Sequence, residues 1–112
     1  IASMTNTTVS SDLLRGHTDT IILKLLLGGD HYGYEISKKV YETSGHMYEL
    51  NEATMYSSLK RLENDGRITA YWGSETQGVR RKYYRLTDAG KELYAANKNA
   101  WDVARTVLEK LL

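Results

Sequence analysis

Between Leu50 and Thr87 the apolar positions change period, from helical spacing to strand alternation. On a helical wheel for Asn51 to Asp65, Met55, Leu59 and Leu62 fall at i, i+4 and i+7, making one stripe that must face a core. The opposite arc carries Ala53, Thr54, Ser57, Lys60, Arg61 and Asn64, with no carboxylate among them. Asn51 is a good N-cap, Glu52 suits the positive end of the helix, and Gly66 is placed to stop it. Ile68 to Ser74 then puts Ile68, Ala70 and Trp72 on one side of a strand, and Val79 to Leu86 forms a second extended run. The residues from Glu75 to Gly78 form the loop of this predicted hairpin, and its tip carries Gly78, Arg80, Arg81 and Lys82.

Taken alone, the helix is an ordinary amphipathic surface helix, and the basic strand an edge protected by charge. Taken together, they are what a DNA-reading helix with a β-hairpin wing requires. Small, hydrogen-bonding and cationic side chains can approach a major groove closely, and arginines suit phosphates and narrow minor grooves. Net charge is +1 over 112 residues, which by itself predicts no nucleic-acid partner. Its distribution does. Residues 1–59 hold four Lys/Arg against seven Asp/Glu, a net of −3; residues 60–85 hold seven against three, a net of +4; residues 86–112 balance at four against four. Positive charge is concentrated where phosphate contact would need it.

The flanking segments predict helices. Ser11 can cap one running to Gly28, and its second half, Ile21 to Leu27, is apolar nearly all round. Such a helix is expected to pack on two sides, with a second subunit supplying one of them. Tyr34 to Ser44, ended by Gly45, turns Ile36 and Val40 inward and Lys38 and Lys39 outward, as the first helix of a helix-turn-helix pair. The connection from His46 to Leu50 is expected to add a short strand to the wing sheet. The last helix begins at Thr87, and Leu93, Ala96, Ala100, Ala104, Val107, Leu108 and Leu111 form its apolar stripe. That stripe fits either a twofold dimer or packing on the chain's own first helix.

The expected fold is mainly α with a small β-hairpin (α+β). Residues 1–10 are expected to be a disordered polar tail rather than a signal peptide, 11–86 a winged helix-turn-helix domain, and 87–112 a dimerisation helix. The chain has no cysteine, which fits a cytoplasmic setting and removes disulfides and thiolate sites. No apolar run approaches the roughly 20 residues of a membrane span, so no membrane partner is expected. His17, His31 and His46 lie in separate segments without metal-ligand spacing and read as neutral surface histidines. Gly28-Gly29-Asp30 is too short for a phosphate loop. No nucleophile has a base at a workable spacing, so neither an enzyme nor a cofactor is expected.

The segment Leu50 to Gly66, then Tyr71-Trp-Gly-Ser-Glu75, then Gly78-Val-Arg-Arg-Lys-Tyr-Tyr-Arg-Leu-Thr87, resembles the PadR family of bacterial transcriptional repressors, and within it the short multidrug-sensing branch. The resemblance covers about residues 11–112. It implies a winged helix-turn-helix homodimer, joined through the first and last helices, that binds a pseudo-palindromic double-stranded DNA operator. Carried over residue by residue, the family's DNA contacts fall on Thr54, Tyr56, Ser57 and Lys60 in the helix and on Arg80, Arg81 and Lys82 in the wing. Asn51 and Arg61 border them. Tyr56 lies at the edge of the core stripe, so its ring should pack and leave its hydroxyl for a phosphate.

The resemblance further implies a small aromatic effector stacked on Trp101 at the dimer centre, with Leu13, Gly16, Thr20, Lys24, Lys98 and Arg105 around it. Burial alone would make Trp101 a packing residue. Lys98, Arg105 and Lys24 depart from the branch's apolar, neutral or acidic pattern and should disfavour cationic ligands. The rival from another class is a winged-helix module that docks a protein along its hairpin.

Overall fold

The computed structural model describes residues 9–74 and 78–112. Among these residues five α-helices and three strands follow one another: α1 (Ser11–Leu14), α2 (Thr18–Leu27), β1 (His31–Tyr32), α3 (Gly33–Thr43), α4 (Glu52–Asn64), β2 (Ile68–Trp72), β3 (Lys82–Leu86) and α5 (Asp88–Leu111). The sheet is antiparallel in the order β1-β3-β2, with Ile68 opposite Leu86, Ala70 opposite Tyr84, and Trp72 opposite Lys82. This is a winged helix-turn-helix fold. Among the described residues no helix is long and apolar enough to cross a membrane.

One core joins the elements. Ile22, Leu23 and Leu26 of α2 meet Ile36 and Val40 of α3, Met55, Leu59 and Leu62 of α4, and Ile68 and Tyr84 of the sheet. The apolar stripe expected on α4 is the part that enters it.

Three expectations about the first half of the chain need correction. The first helix is not continuous from Ser11. Ser10 is the cap, its hydroxyl accepting the Asp12 N–H at 3.2 Å, and a 3-10 turn at Arg15–His17 interrupts the helix. Leu14 and His17, with ψ near zero, leave the α region on either side of Gly16. The second side of α2 is covered only in part by the chain itself: α5 packs on it alongside α3, α4 and β3, yet Ile21 and Leu25 still line an open apolar hollow. Finally, the third strand is His31–Tyr32, not the His46–Leu50 connection. Gly45 and His46 have φ of 68° and 66°, which curls the chain, and the Tyr48 N–H is taken by Ser44 Oγ at 3.0 Å. Tyr48 and Leu50 serve as core plugs instead.

Of the expected tail, residues 1–8 lie outside the described residues. Val9 donates its N–H to Met47 O at 2.6 Å, so it and Ser10 are held by the fold.

Helix α5 splits into two regimes. Thr87 Oγ1 accepts the Gly90 N–H at 3.0 Å and caps it. Its first turns lie on the core through Leu93 and Tyr94, and Asn97 donates to Thr20 Oγ1 at 3.0 Å. Beyond that point the stripe is uncovered: Val107, Leu108 and Leu111 are 47%, 44% and 74% exposed. Packing on its own chain therefore covers only the start of the stripe at Leu93, since Ala96, Ala100 and Ala104 are exposed as well.

Candidate nucleic-acid interface

Helix α4 forms as its sequence dictates. Asn51 Oδ1 accepts the Thr54 N–H at 3.0 Å, so this candidate contact residue is engaged as the cap. Gly66, at φ 73°, ends the helix. Ala53, Thr54, Tyr56, Ser57, Lys60, Arg61 and Asn64 are exposed on one arc, whereas Ser58, between them in sequence, is buried. Tyr56 packs over Gly33, the first residue of α3, where a Cβ would strike its ring carbons at 2.7 and 3.0 Å. Arg61 does not stand free: its Nη2 donates to Asp19 Oδ1 of α2 at 2.5 Å.

The wing differs from the expected cluster of bare cations. Its strands are shorter than the alternation suggested, ending at Trp72 and beginning at Lys82, and residues 75–77 of the loop lie outside the described residues. Each cation lies over an aromatic ring: Arg80 over Trp72 at 5.4 Å, Arg81 over Tyr32 at 4.8 Å, and Lys82 over Tyr84 at 5.7 Å. Lys82 belongs to β3 rather than to the tip, and its Nζ is 3.6 Å from Glu63 of α4. Trp72 follows the alternation but lies past the edge of the core, 56% exposed, as a platform for Arg80. Stacking on a ring holds a guanidinium plane in place without consuming its hydrogen-bond donors, which stay available for a phosphate or a base edge.

A second group in the wing has no signature in the sequence. Asp30 Oδ2 accepts from Tyr71 Oη at 2.5 Å and from Arg85 Nε at 3.1 Å, and forms an ion pair with Arg85 Nη2 at 3.0 Å. The Tyr71 hydrogen bond, followed by those from Arg85, holds the Asp30 carboxyl below its ordinary value despite desolvation, and the same bond raises the Tyr71 phenol. The loop after α2 is thereby tied to both strands of the hairpin. Tyr71 also stacks on Tyr83, with centroids 5.7 Å apart, and Gly73 admits that ring because a Cβ there would meet it at 2.5 Å. Wing and helices are thus linked by polar contacts as well as by the core.

Two hollows flank the helix layer. One, of about 520 Å³, lies between the start of α2 and the exposed arc of α4, and is lined by Arg15, Gly16, Thr18, Asp19, Thr54, Ser57 and Arg61 among others. The other, of about 560 Å³ and largely apolar, lies between α2, α3 and α5. Thr20, Lys24, Lys98 and Trp101 line the second hollow, with Ile21, Leu25 and Tyr94. The remaining residues matched to an effector cleft lie elsewhere: Gly16 borders the first hollow, Leu13 is 74% exposed, and Arg105 is outside both. Trp101, 38% exposed, receives the His17 ring edge-on at 5.1 Å.

Its cations are not bare. Lys98 Nζ is 2.7 Å from Asp102, and Arg105 is 3.9 Å from Glu109, each an i,i+4 pair. Lys24 lies 5.8 Å from the centre of the Tyr94 ring and has no acidic partner among the described residues. Of the other histidines, His46 stacks on Tyr41 at 4.6 Å, whereas His31 is largely buried rather than on the surface, its Nδ1 3.4 Å from the Glu35 carboxylate and without a hydrogen-bond partner among the described residues.

Residues 22–96 match the model of the transcriptional regulator PadR-like family. An uncharacterized protein of Lysinibacillus sphaericus is 40% identical over 101 residues, which make up 90% of this chain and 93% of that protein. A transcriptional regulator from Clostridium thermocellum superposes with a TM-score of 0.85 at 45% identity, covering 92% of this chain and 97% of that one. The structure of Bacillus subtilis PadR in complex with operator DNA superposes with a TM-score of 0.63 at 31% identity. That match covers 70% of this chain and only 44% of the larger Bacillus protein.

Proposed function

The chain belongs to the PadR-like family of transcriptional regulators, and on that premise we propose that it is a repressor that grips a pseudo-palindromic operator as a homodimer. Helix α4 lies in the major groove with Thr54, Tyr56, Ser57 and Lys60 toward the DNA, while Arg80, Arg81 and Lys82 of the wing meet the backbone or the minor groove. The observation that carries this reading is the acid-free arc of α4 beside a wing whose arginines are pre-positioned on aromatic rings. Its likeness to a relative solved on operator DNA supports it further.

The test is a gel-shift titration with duplexes from beside the native gene over a salt series. Affinity should fall steeply with salt, and Arg81→Ala should reduce the slope of log K against log salt by about one unit. A protein-docking wing would show no duplex shift at any salt, and that outcome would end the operator reading.

The dimer is formed by the uncovered half of α5, whose stripe has nothing to cover it among the described residues, packing against the apolar hollow of a second copy. In this arrangement Trp101 and its counterpart wall a slot for a flat aromatic effector, as in a multidrug-sensing regulator. His17 touches Trp101, Thr20 is bonded to Asn97, and Asp19 between them is bonded to Arg61, so one turn of chain touches both α5 and α4. Movement at the slot can reach the reading helix through that turn. A bound planar aromatic should quench tryptophan fluorescence. Trp101→Ala should abolish the quench and keep operator binding, whereas Trp72 substitution should leave ligand affinity unchanged. An unfolded Trp101→Ala protein would make the residue a packing tryptophan. Because Asp102 and Glu109 offset Lys98 and Arg105, the preference against cationic ligands rests on Lys24 and should be modest. A cytoplasmic location goes with this function.

A further inference from the structure

Resting on the operator reading, we infer that Asp19 competes with DNA for Arg61 and holds the affinity of the reading face below what its cations would otherwise reach. The two residues are 42 positions apart in sequence and meet across the hollow of about 520 Å³ that borders the exposed arc of α4. Arg61 Nη2 donates to Asp19 Oδ1 at 2.5 Å, and Ser58 Oγ lies 3.4 Å from the same nitrogen. Asp19 also makes the guanidinium harder to deprotonate, chiefly through that hydrogen bond.

The position of the pair argues against a purely structural role. Its side chains are 55% and 28% exposed, and an ion pair in such contact with solvent adds little to stability. The helices it joins are already held by Leu23, Leu59 and Leu62 of the core beneath. Thr54 and Ser57, two of the residues assigned to the major groove, line the same hollow, so a duplex seated on α4 brings its phosphates to this wall. Asp19 is then a carboxylate facing a polyanion. If Arg61 stays with it, the pair has no net charge and releases no counterion. If Arg61 turns to a phosphate, the carboxylate is left unpaired at the interface. Either way the complex is weaker than with an unopposed arginine. Arg15 on the same wall is likewise paired, with Asp12. Lys60, on the α4 arc, has no ion-pair partner among the described residues. A reading face held below its maximal affinity is one that a modest coupling free energy can release.

The experiment measures duplex affinity of the full chain over a salt series for the parent, Asp19→Asn, Asp19→Ser, Arg61→Ala, the Asp19→Asn/Arg61→Ala double variant and Lys60→Ala. Removing the carboxylate with Asn or Ser should tighten binding by about three- to ten-fold at low salt and steepen the slope by about one unit. Arg61→Ala should cost more in the Asp19→Asn background than in the parent, since only there is the arginine unopposed. A strut would behave otherwise: both Asp19 variants would lower thermal stability and weaken binding with the slope unchanged. That result, or an unchanged affinity and slope, overturns the inference. Lys60→Ala separates the two levels. If it flattens the slope while the Asp19 variants do nothing, the competitor role alone falls; if no variant shifts a duplex at any salt, the operator reading falls and takes this inference with it.

Discussion

Leu108→Glu should convert the protein from a dimer to a monomer at micromolar concentration and abolish the operator shift with it. In the chain as it stands Leu108 is 44% exposed beside Val107 and Leu111, so the substitution does no harm to the core of a single copy. In a twofold interface it places a carboxylate in each half of one apolar seam, and an unpaired buried charge costs several kcal/mol. Operator binding follows because two half-sites must be engaged together, and a single reading head has only the weaker, one-site affinity. Sedimentation equilibrium and the gel shift, made on the same preparations, check both parts. A Leu108→Glu protein that sediments as a dimer would mean that the α5 stripe is not the seam, and a monomeric parent would remove the interface altogether.

Gly90→Ala should lower stability by about 3 kcal/mol, the upper end of what overpacking costs, and the melting temperature by roughly 10 °C. Gly90 is the buried residue of α5, set where the wing runs into the helix. A Cβ there would collide with the backbone carbonyl of Arg67 and would lie 2.5 Å from Leu86 Cδ1. The carbonyl cannot yield cheaply, because it accepts the Thr87 N–H at 3.1 Å and the Thr87 hydroxyl at 2.9 Å, and that hydroxyl caps α5. Relief of the clash must therefore move the start of α5, tilting its C-terminal half and any dimer seam it forms. Gly16→Ala is the control: a Cβ at position 16 meets nothing within 4 Å, and its melting temperature should hold or rise slightly. Equal melting curves for the parent and Gly90→Ala would show that the α5 junction is looser than its contacts imply.

Much of this fold is legible in the amino-acid order because its signals are local. The stripe of Met55, Leu59 and Leu62, the Asn51 and Thr87 caps, the Gly66 stop and the alternation through Ile68 and Ala70 each involve residues within about two helical turns, and they repeat with the period of the element they form. Elements and their inward faces follow from that, and so does the acid-free arc of α4. Tertiary structure decided what crosses between elements. It drew His31–Tyr32 into the sheet in place of the His46–Leu50 connection, where two left-handed residues curl the chain. It laid the wing cations over rings contributed partly by another strand, and divided α5 into a half that packs on its own chain and a half that does not. Asp30 with Tyr71 and Arg85, and Asp19 with Arg61, are 41, 55 and 42 positions apart. A contact at that separation leaves no periodic trace, because nothing about either side chain's neighbours in sequence depends on the other. It exists only once the core has closed and fixed the elements that carry the two partners, and which cations of the α4 arc are paired is settled at that stage.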